Sequence, residues 1–240
     1  MKAVHSRLRW ATPFYAALMA LALIAFWPGY LAAPGQEANG WVHFHVASAT
    51  LWVLVLIAQP WAIQNGRRRL HIFLGRASYV LFPLVIIGFV GLAHSSMQGK
   101  SPEEQATDAY YFYIRVVLVA ILASAYLMGV VHRKDAAIHS RYMVCTGLPL
   151  IDPVLHRISQ RLMGGADLDY QLLTFGIPCA LLIMLILAER KASSGRHVFP
   201  AMLSAFVVGY LPLGLKFYTW GATWTIWKSL ARQFAALPLT

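Results

Sequence analysis

Charged residues are scarce in this sequence. Asp, Glu, Lys and Arg make up only 12% of its 240 residues, and just nine residues are acidic, whereas a soluble domain carries about 25% charged residues. Hydrophobic residues account for 59%, and the mean hydropathy is +0.58. This composition excludes an ordinary soluble domain and predicts an integral membrane protein. The sequence also has no internal repeat and no low-complexity run.

Cysteine is nearly absent as well. Cys145 and Cys179 both fall inside apolar segments, so we interpret them as core residues rather than as a disulfide or a redox pair. The sequence also lacks HExxH or a comparable local metal-binding motif. A zinc enzyme is therefore not indicated by any short motif.

Long apolar runs dominate the chain instead. A bilayer core needs about 20 apolar residues per spanning helix. Seven segments come close to this length: 12–33, 42–64, 73–93, 110–131, 140–162, 171–189 and 198–219. Because the runs are continuous rather than alternating, they predict helices and not strands of a β-barrel. The expected fold is an all-α, polytopic bundle of seven transmembrane helices.

The seven segments are expected to form a single membrane domain. Residues 42–162 are its predicted core, and helices 12–33, 171–189 and 198–219 are peripheral. In the tail, 220–240, aromatic and basic residues recur at roughly helical spacing. This pattern predicts a C-terminal helix lying in the membrane interface, and an aromatic belt alone is the alternative interpretation.

The basic residues are concentrated in alternate turns. They lie in the N-terminus, 65–76, 132–141 and 189–197, whereas the opposite loops carry Glu37, Glu103, Glu104, Asp108, Asp167 and Asp169. The positive-inside rule then predicts a cytoplasmic N-terminus and a C-terminus on the outer side. Because the basic residues are split among short turns, they do not indicate nucleic-acid binding. The lipid bilayer is the expected partner.

Most of the nine histidines lie at helix ends, and the predicted topology sorts them into two layers. The outer histidines are His43, His45, His94 and His156, and the inner histidines are His71, His132 and His139. Imidazole is the commonest ligand of metal ions and of haem iron. The layout therefore predicts a haem or metal site, with histidines that bind lipid headgroups or cap helix ends as the alternative.

Bis-histidine haem ligation requires one histidine from each of two facing helices at the same depth. In the outer layer, the candidate pairs are His45 with His94 or with His156. His43 and His45 are two residues apart and face different directions on a helix, and we expect His45 to point into the bundle. In the inner layer, the candidate pairs are His71 with His132 or with His139.

The fifth segment is the least lipid-like of the seven. Asp152 and His156 are four residues apart and share a helix face, so the carboxylate would fix the histidine tautomer. With His45 they would form part of a catalytic zinc site. Pro149 and Pro153 remove backbone donors and are expected to kink or break this helix.

Three arginines are further candidates. Arg157 and Arg161 are four residues apart and would pair with anionic lipid or a substrate, and Arg115 would snorkel outward or pair with Asp152. The alternative is a broken helix whose polar half is interfacial, with Asp152 and Arg157 in a structural ion pair.

Three stretches carry a family resemblance: HVASATLWVLVLIAQPWAIQ, RRRLHIFLGRASYV and HRKDAAIHSRYM. The most specific parts are Leu70, His71, Gly75 and Arg76 in one motif and His139, Arg141 and Met143 in the other. From His45 to His156, the chain resembles a family of uncharacterised bacterial predicted integral membrane proteins. This resemblance implies a helical membrane core that carries histidines. The layout is also similar to that of transmembrane di-haem cytochromes b, in which histidines at both helix ends hold two haems.

Three functions are compatible with these features. The favoured hypothesis is a protein that binds haem b or a metal ion through histidines and transfers electrons, with a quinone or a redox protein as its partner. The second is a metal-dependent hydrolase acting on lipid, with zinc bound by His45, Asp152 and His156. The third is a proton-coupled transporter or a non-catalytic membrane subunit, in which Asp152 and Arg115 line an ion path.

Overall fold

The computed structural model describes residues 9–32, 39–164 and 167–239. Several charged residues used to predict the orientation lie outside this description: Lys2, Arg7 and Glu37, together with the side chains of Glu103, Asp167 and Asp169. The regular elements of the described part are helices. They are α1 (Ala11–Phe26), α2 (Gly40–Gln64), α3 (Arg68–Ser95), α4 (Pro102–Val131), α5 (Ala136–Cys145), α6 (Ile151–Met163), α7 (Asp167–Ala188), α8 (Val198–Gly214) and α9 (Gly221–Ala235).

Five helices are long and apolar enough to cross a membrane, which confirms the helical, membrane-compatible class of the fold. They span Ala11–Leu31, Gly40–Gln64, Arg68–Ser95, Thr107–Val131 and Val198–Thr219. The first continues from α1 through a π-helical turn, and the last continues from α8 through a 3-10 turn. The predicted segment 171–189 contains a shorter apolar helix, Leu173–Ala188.

The predicted segment 140–162 is not one continuous helix. Helix α5 ends at Cys145, a 3-10 turn covers Leu148–Leu150, and α6 begins at Ile151. Pro149 lies in this turn and has no N–H to continue the helical ladder. Gly147 precedes it, and a β-carbon there would overlap the buried ring of Tyr15. The expected break is therefore present at Pro149, whereas Pro153 lies in the first turn of α6 and does not interrupt it. The polar half of the segment forms a separate helix.

Helices α2 and α3 pack closely because two glycines lie at their contact. A β-carbon on Gly88 would lie 2.8 Å from Ser48 Oγ and 3.1 Å from the Cα atom of His45. A β-carbon on Gly91 would overlap the ring of Trp41. The turn between the helices covers only residues 65–67, and Gly66 adopts a φ of 68° there, a conformation that favours glycine.

One hydrophobic core joins helices from both ends of the chain. It includes Tyr15 of α1, Trp52 of α2, Leu122 of α4, Leu182 of α7 and Phe206 of α8, all nearly or fully inaccessible to solvent. The helices predicted to be peripheral therefore contribute buried side chains to the same core as residues 42–162.

Helix α9 packs against the ends of α3 and α4. Trp227 donates its indole N–H to the carbonyl oxygen of Ala109 at 2.7 Å, and Phe112 stacks on both Trp227 and Phe234. The tail is thus helical, as predicted. Its position in the membrane interface stays a prediction.

Helix α4 begins with a capping box. The backbone N–H and hydroxyl of Ser101 both donate to Glu104 Oε2, at 2.8 and 2.7 Å, and the Glu104 N–H donates to Ser101 Oγ at 3.4 Å. The hydrogen bond from the Ser101 backbone, with that from its hydroxyl, holds the pKa of Glu104 below its ordinary value.

The first turn of α4 is therefore expected to loosen in acid. Because the pKa of Glu104 is lower in the folded chain than in the unfolded chain, its carboxylate stabilises the cap at pH values above the ordinary carboxyl pKa. This stability is lost as the pH falls through the pKa of the folded chain. By hydrogen exchange, the first turn should be better protected in the native chain than in Glu104→Ala at about pH 6, and this difference should shrink as the pH falls below the ordinary pKa of a glutamate. A difference that persists unchanged near pH 3 would contradict the charge-dependent cap.

Candidate histidine pair and polar sites

The structure brings together two of the three inner histidines. His71 lies in the first turn of α3 and His139 in the first turn of α5, and their ring centroids are 6.4 Å apart with the rings nearly perpendicular. The residues come from different helices and are 68 positions apart in the sequence. Both side chains are partly buried. Of the two predicted inner pairs, the structure thus assembles His71 with His139.

The backbone holds the ring of His139, whereas the ring of His71 has an unsatisfied nitrogen among the described residues. His139 donates its Nδ1–H to the carbonyl oxygen of Gly129 at 2.7 Å. A neutral imidazole that donates from Nδ1 presents an unprotonated Nε2, which is the form that binds metals. The ring of His71 lies beside the backbone carbonyl of Gln59. Its Nδ1 is buried and has no hydrogen-bond partner within the described part of the chain.

His132, the third inner histidine, has a different environment. It is the C-terminal residue that caps α4. Its Nδ1 donates to the carbonyl oxygen of Met128 at 2.9 Å, and its ring stacks on Tyr142 with centroids 6.0 Å apart. This is the geometry of a helix-capping histidine, which was the alternative interpretation for the inner layer.

A buried ion pair lies at the same end of the bundle. Arg141 donates from Nε to Glu189 Oε2 at 2.5 Å, and the two residues are only 3% and 7% exposed. A second guanidinium nitrogen donates to the carbonyl oxygen of Ala137 at 2.5 Å. Arg141 was a candidate from its motif, whereas its partner Glu189 was missed. The sequence signal that could have identified Glu189 is its position as an acidic residue at the end of an apolar segment.

Glu189 also borders an open cavity. The cavity has a volume of about 240 Å³ and is lined by Trp10, Leu185, Ala188, Glu189, Lys191 and Ala192. The buried Arg141–Glu189 ion pair therefore lies next to this cavity, which it borders through Glu189.

Among the outer histidines, His43 and His45 differ as expected from their spacing. His43 is exposed and its Nδ1 lies 2.7 Å from the hydroxyl of Tyr30. His45 is partly buried, and its ring packs edge-on against Phe89 with centroids 4.5 Å apart. The Nδ1 of His45 is buried without a hydrogen-bond partner among the described residues.

His94 holds the C-terminal tail. It is only 1% exposed, and its Nε2 donates to the carbonyl oxygen of Leu237 at 2.8 Å. Its ring also contacts Phe234 edge-on, and Gln98, one turn later, donates to the carbonyl oxygen of Ala235 at 2.6 Å. In this structure, the nitrogen that would bind haem iron contacts the tail instead.

Asp152 is buried where three helices meet. It is 5% exposed in the first turn of α6, and its Oδ2 accepts hydrogen bonds from Thr174 Oγ1 of α7 and from the Tyr210 hydroxyl of α8, both at 2.9 Å. Neither hydroxyl was predicted to contact Asp152, because sequence periodicity does not indicate which residues of separate helices meet.

The remaining outer candidates lie on α4 and α6. The ring of His156 is 6.0 Å from that of Tyr111. Arg115 donates from Nη1 to Ser96 Oγ at 2.6 Å. The exposed guanidinium of Arg157 lies 5.7 Å from the centre of the Phe26 ring.

Metal ligation by His45, Asp152 and His156 stays a prediction. Within residues 9–32, 39–164 and 167–239, no group of three or more His, Cys, Asp or Glu residues is placed to hold a metal ion. In its described part, the structure thus brings together one histidine pair, His71 with His139, rather than a three-ligand set.

Comparison with known proteins does not assign a family. No family model matches the chain, and no curated protein or solved structure matches it either. The resemblance between residues 45 and 156 and the bacterial membrane-protein family therefore stays a prediction.

Proposed function

We propose that this protein is a multi-pass protein of the bacterial inner membrane that binds haem b through His71 and His139 and transfers electrons. The observation that carries the proposal is the approach of these two imidazoles to 6.4 Å. The distribution of basic residues among alternate turns supports the rest of the predicted topology, which has seven crossings and a cytoplasmic N-terminus.

The distance between the rings fits two ligands of one metal atom. Each ligand nitrogen lies about 2 Å from the metal, and the centre of each ring lies roughly 1 Å beyond its nitrogen. Two imidazoles that bind one metal ion would therefore have centroids within about 6 Å of each other, close to the 6.4 Å between His71 and His139. Bis-histidine haem needs only these two protein ligands, whereas a catalytic zinc site uses three.

The surrounding residues supply orientation and protonation state. The carbonyl oxygen of Gly129 fixes the tautomer of His139, so that Nε2 is the atom that would bind iron. Burial of both rings limits the access of water, which influences the redox potential of a bound group. Haem, when bound, supplies the one-electron redox chemistry, and a quinone or a redox protein is the proposed partner.

Replacing either histidine of this pair is expected to remove the haem. His71→Ala and His139→Ala should each lower the haem content of purified protein by at least about tenfold, because bis-histidine ligation loses one of its two ligands. The measurement is the pyridine haemochrome, with the dithionite-reduced minus oxidised absorption spectrum, on protein made in haem-replete cells.

His132→Ala is the matched control, since this histidine lies in the same layer but stacks on Tyr142. It should retain the haem. A colourless preparation of the native protein, or an equal loss of haem in all three variants, would contradict the proposal.

The buried Asp152 favours a second candidate function, a proton-coupled transporter. Ionisable residues inside a membrane bundle line ion or proton paths, and Asp152 is bonded to hydroxyls of two further helices. Proton-coupled uptake should be lost in Asp152→Asn, and uptake that continues in this variant would count against a transporter.

A further inference from the structure

The cavity beside Glu189 is lined by the ends of two helices. Trp10 directly precedes α1, and Leu185 and Ala188 belong to the last turn of α7. Glu189 and Lys191 follow α7 and line the same cavity. An aromatic, an acidic and a basic residue therefore border one common space.

One carboxylate oxygen of Glu189 is left unpaired at this cavity. Arg141 donates from Nε to Oε2 at 2.5 Å. Oε1 makes no hydrogen bond to the described residues and keeps accessible surface, although Glu189 as a whole is only 7% exposed. Polar atoms of buried residues are normally satisfied by protein, water or a ligand. Because Glu189 lines the cavity, a donor placed there would complete its hydrogen bonding.

Arg141 is held away from this position. Its Nη1 donates to the carbonyl oxygen of Ala137 at 2.5 Å, and a β-carbon on Gly195 would lie 2.7 Å from the same nitrogen. The guanidinium is therefore fixed between Ala137, Gly195 and Oε2 of Glu189, and Arg141 is only 3% exposed. The donor for Oε1 must come from the cavity.

The charges around the cavity favour a ligand with both a positive and a negative group. Among the described residues near position 9 and in 132–135 and 189–197, the acidic residues are Glu189, which is paired, and Asp135, which caps α5. Lys191 has no ion pair in this part of the chain. The other Lys and Arg residues of these stretches are exposed: Arg9, Arg133, Lys134, Arg190 and Arg196. This excess of positive charge attracts an anionic group, whereas Glu189 Oε1 requires a donor.

The two helix ends give the cavity a direction. Helix α7 ends at Ala188, and the C-terminal end of a helix carries a partial negative charge and unpaired carbonyl groups. Helix α1 begins after Trp10, with no side chain capping its N-terminus, which carries a partial positive charge. A positive ligand group is therefore favoured at Glu189 and the end of α7, and a negative group at Lys191 and the start of α1.

An exposed apolar stripe on α7 leads to the cavity. Ile183, Met184 and Leu187 are 47%, 57% and 61% exposed, and their spacing places them on one face of the helix. Ala188, which lines the cavity, directly follows Leu187. A ligand in the cavity would thus have an apolar surface next to it on the side of the bundle.

We propose that this cavity binds the headgroup of phosphatidylethanolamine, with the ammonium group at Glu189 Oε1, the phosphate at Lys191 and the acyl chains along α7. A water molecule takes about 30 Å³ in the liquid, so a cavity of about 240 Å³ accommodates a headgroup of several non-hydrogen atoms. Free phosphoethanolamine carries the same two charged groups, so the experiment includes it as a competitor.

The experiment is native mass spectrometry of the full chain in detergent, with phosphatidylethanolamine, phosphatidylcholine and phosphatidylglycerol added at equal concentration. Phosphatidylethanolamine is expected to be retained preferentially. Its ammonium group has N–H donors for Glu189, which the trimethylammonium group of phosphatidylcholine lacks, and the headgroup of phosphatidylglycerol carries no cation.

Lys191→Gln should reduce the retention of phosphatidylethanolamine by about tenfold, because it removes a charge-assisted hydrogen bond to phosphate. Arg190→Gln is the matched control, since Arg190 is exposed and adjacent but does not line the cavity, and it should retain the lipid. Ala188→Leu leaves the charges unchanged and fills part of the cavity, so it should also reduce retention and keeps the test valid if Lys191→Gln fails to fold.

The outcomes are distinguishable. Displacement of the lipid by millimolar phosphoethanolamine would support the headgroup site with the free headgroup as a second ligand, and resistance to displacement would support a lipid that is held by its chains as well. Equal retention of phosphatidylethanolamine and phosphatidylcholine, or a preference for phosphatidylglycerol, would overturn the proposal. So would full retention in both Lys191→Gln and Ala188→Leu, or an equal loss in Arg190→Gln.

Discussion

Glu189→Gln is expected to lower the free energy of unfolding by about 3 kcal/mol, because removing one partner of a buried ion pair leaves an uncompensated buried charge. The two residues are almost inaccessible to solvent, and Arg141 would lose its partner at the contact with Glu189. The measurement is thermal or denaturant unfolding in detergent, followed by circular dichroism.

Arg190→Gln provides the matched control, because Arg190 is the neighbouring residue and is exposed. It should change stability by less than about 0.5 kcal/mol. The double variant Arg141→Met/Glu189→Met should recover much of the loss, since apolar residues of similar volume replace a buried pair at little cost. If Glu189→Gln were no less stable than Arg190→Gln, the ion pair would not contribute to stability.

Asp152→Ala is expected to destabilise the protein by about 2 kcal/mol or more. The substitution removes the acceptor of two buried hydroxyls, and each unsatisfied buried donor costs about 1–3 kcal/mol. Asp152→Asn should cost less, because its side-chain carbonyl still accepts from Thr174 or Tyr210. The same unfolding measurement gives the comparison.

A double-mutant cycle with Tyr210→Phe tests whether the contact exists. Removing the Tyr210 hydroxyl from Asp152→Ala should cost less than removing it from the native chain, because in the variant it no longer has this acceptor. Additive effects of the two substitutions would contradict the hydrogen bond between Tyr210 and Asp152.

Much of the fold follows from the sequence because hydropathy fixes where the long helices lie. Pro149 also indicates the break that separates α5 from α6. The helix ends were less well predicted. Helix α4 begins at Pro102 rather than near residue 110, because Ser101 and Glu104 form a capping box that extends the helix beyond its apolar part. This Ser-x-x-Glu signal with proline at the first helical position was present in the sequence.

The candidate sites were less predictable than the helices. The sequence pattern allows His71 to face either His132 or His139, and only the packing of the helices selects His139. The pairing of Asp152 with Arg115 or Arg157 stays a prediction, and the pattern did not indicate its hydrogen bonds with Thr174 and Tyr210. Periodicity describes the faces of one helix, and contacts between helices depend on packing that one sequence does not specify.

The glycine contact between α2 and α3 bears on how the chain is assembled in the membrane. Gly88 packs on Ser48 and His45, and only residues 65–67 separate the two helices. Small residues let neighbouring membrane helices approach closely enough to associate by van der Waals packing. All residues of this helical hairpin precede α4 in the chain, so its internal contacts do not require any of the later helices. The hairpin can therefore form first and offer a surface on which the later helices pack.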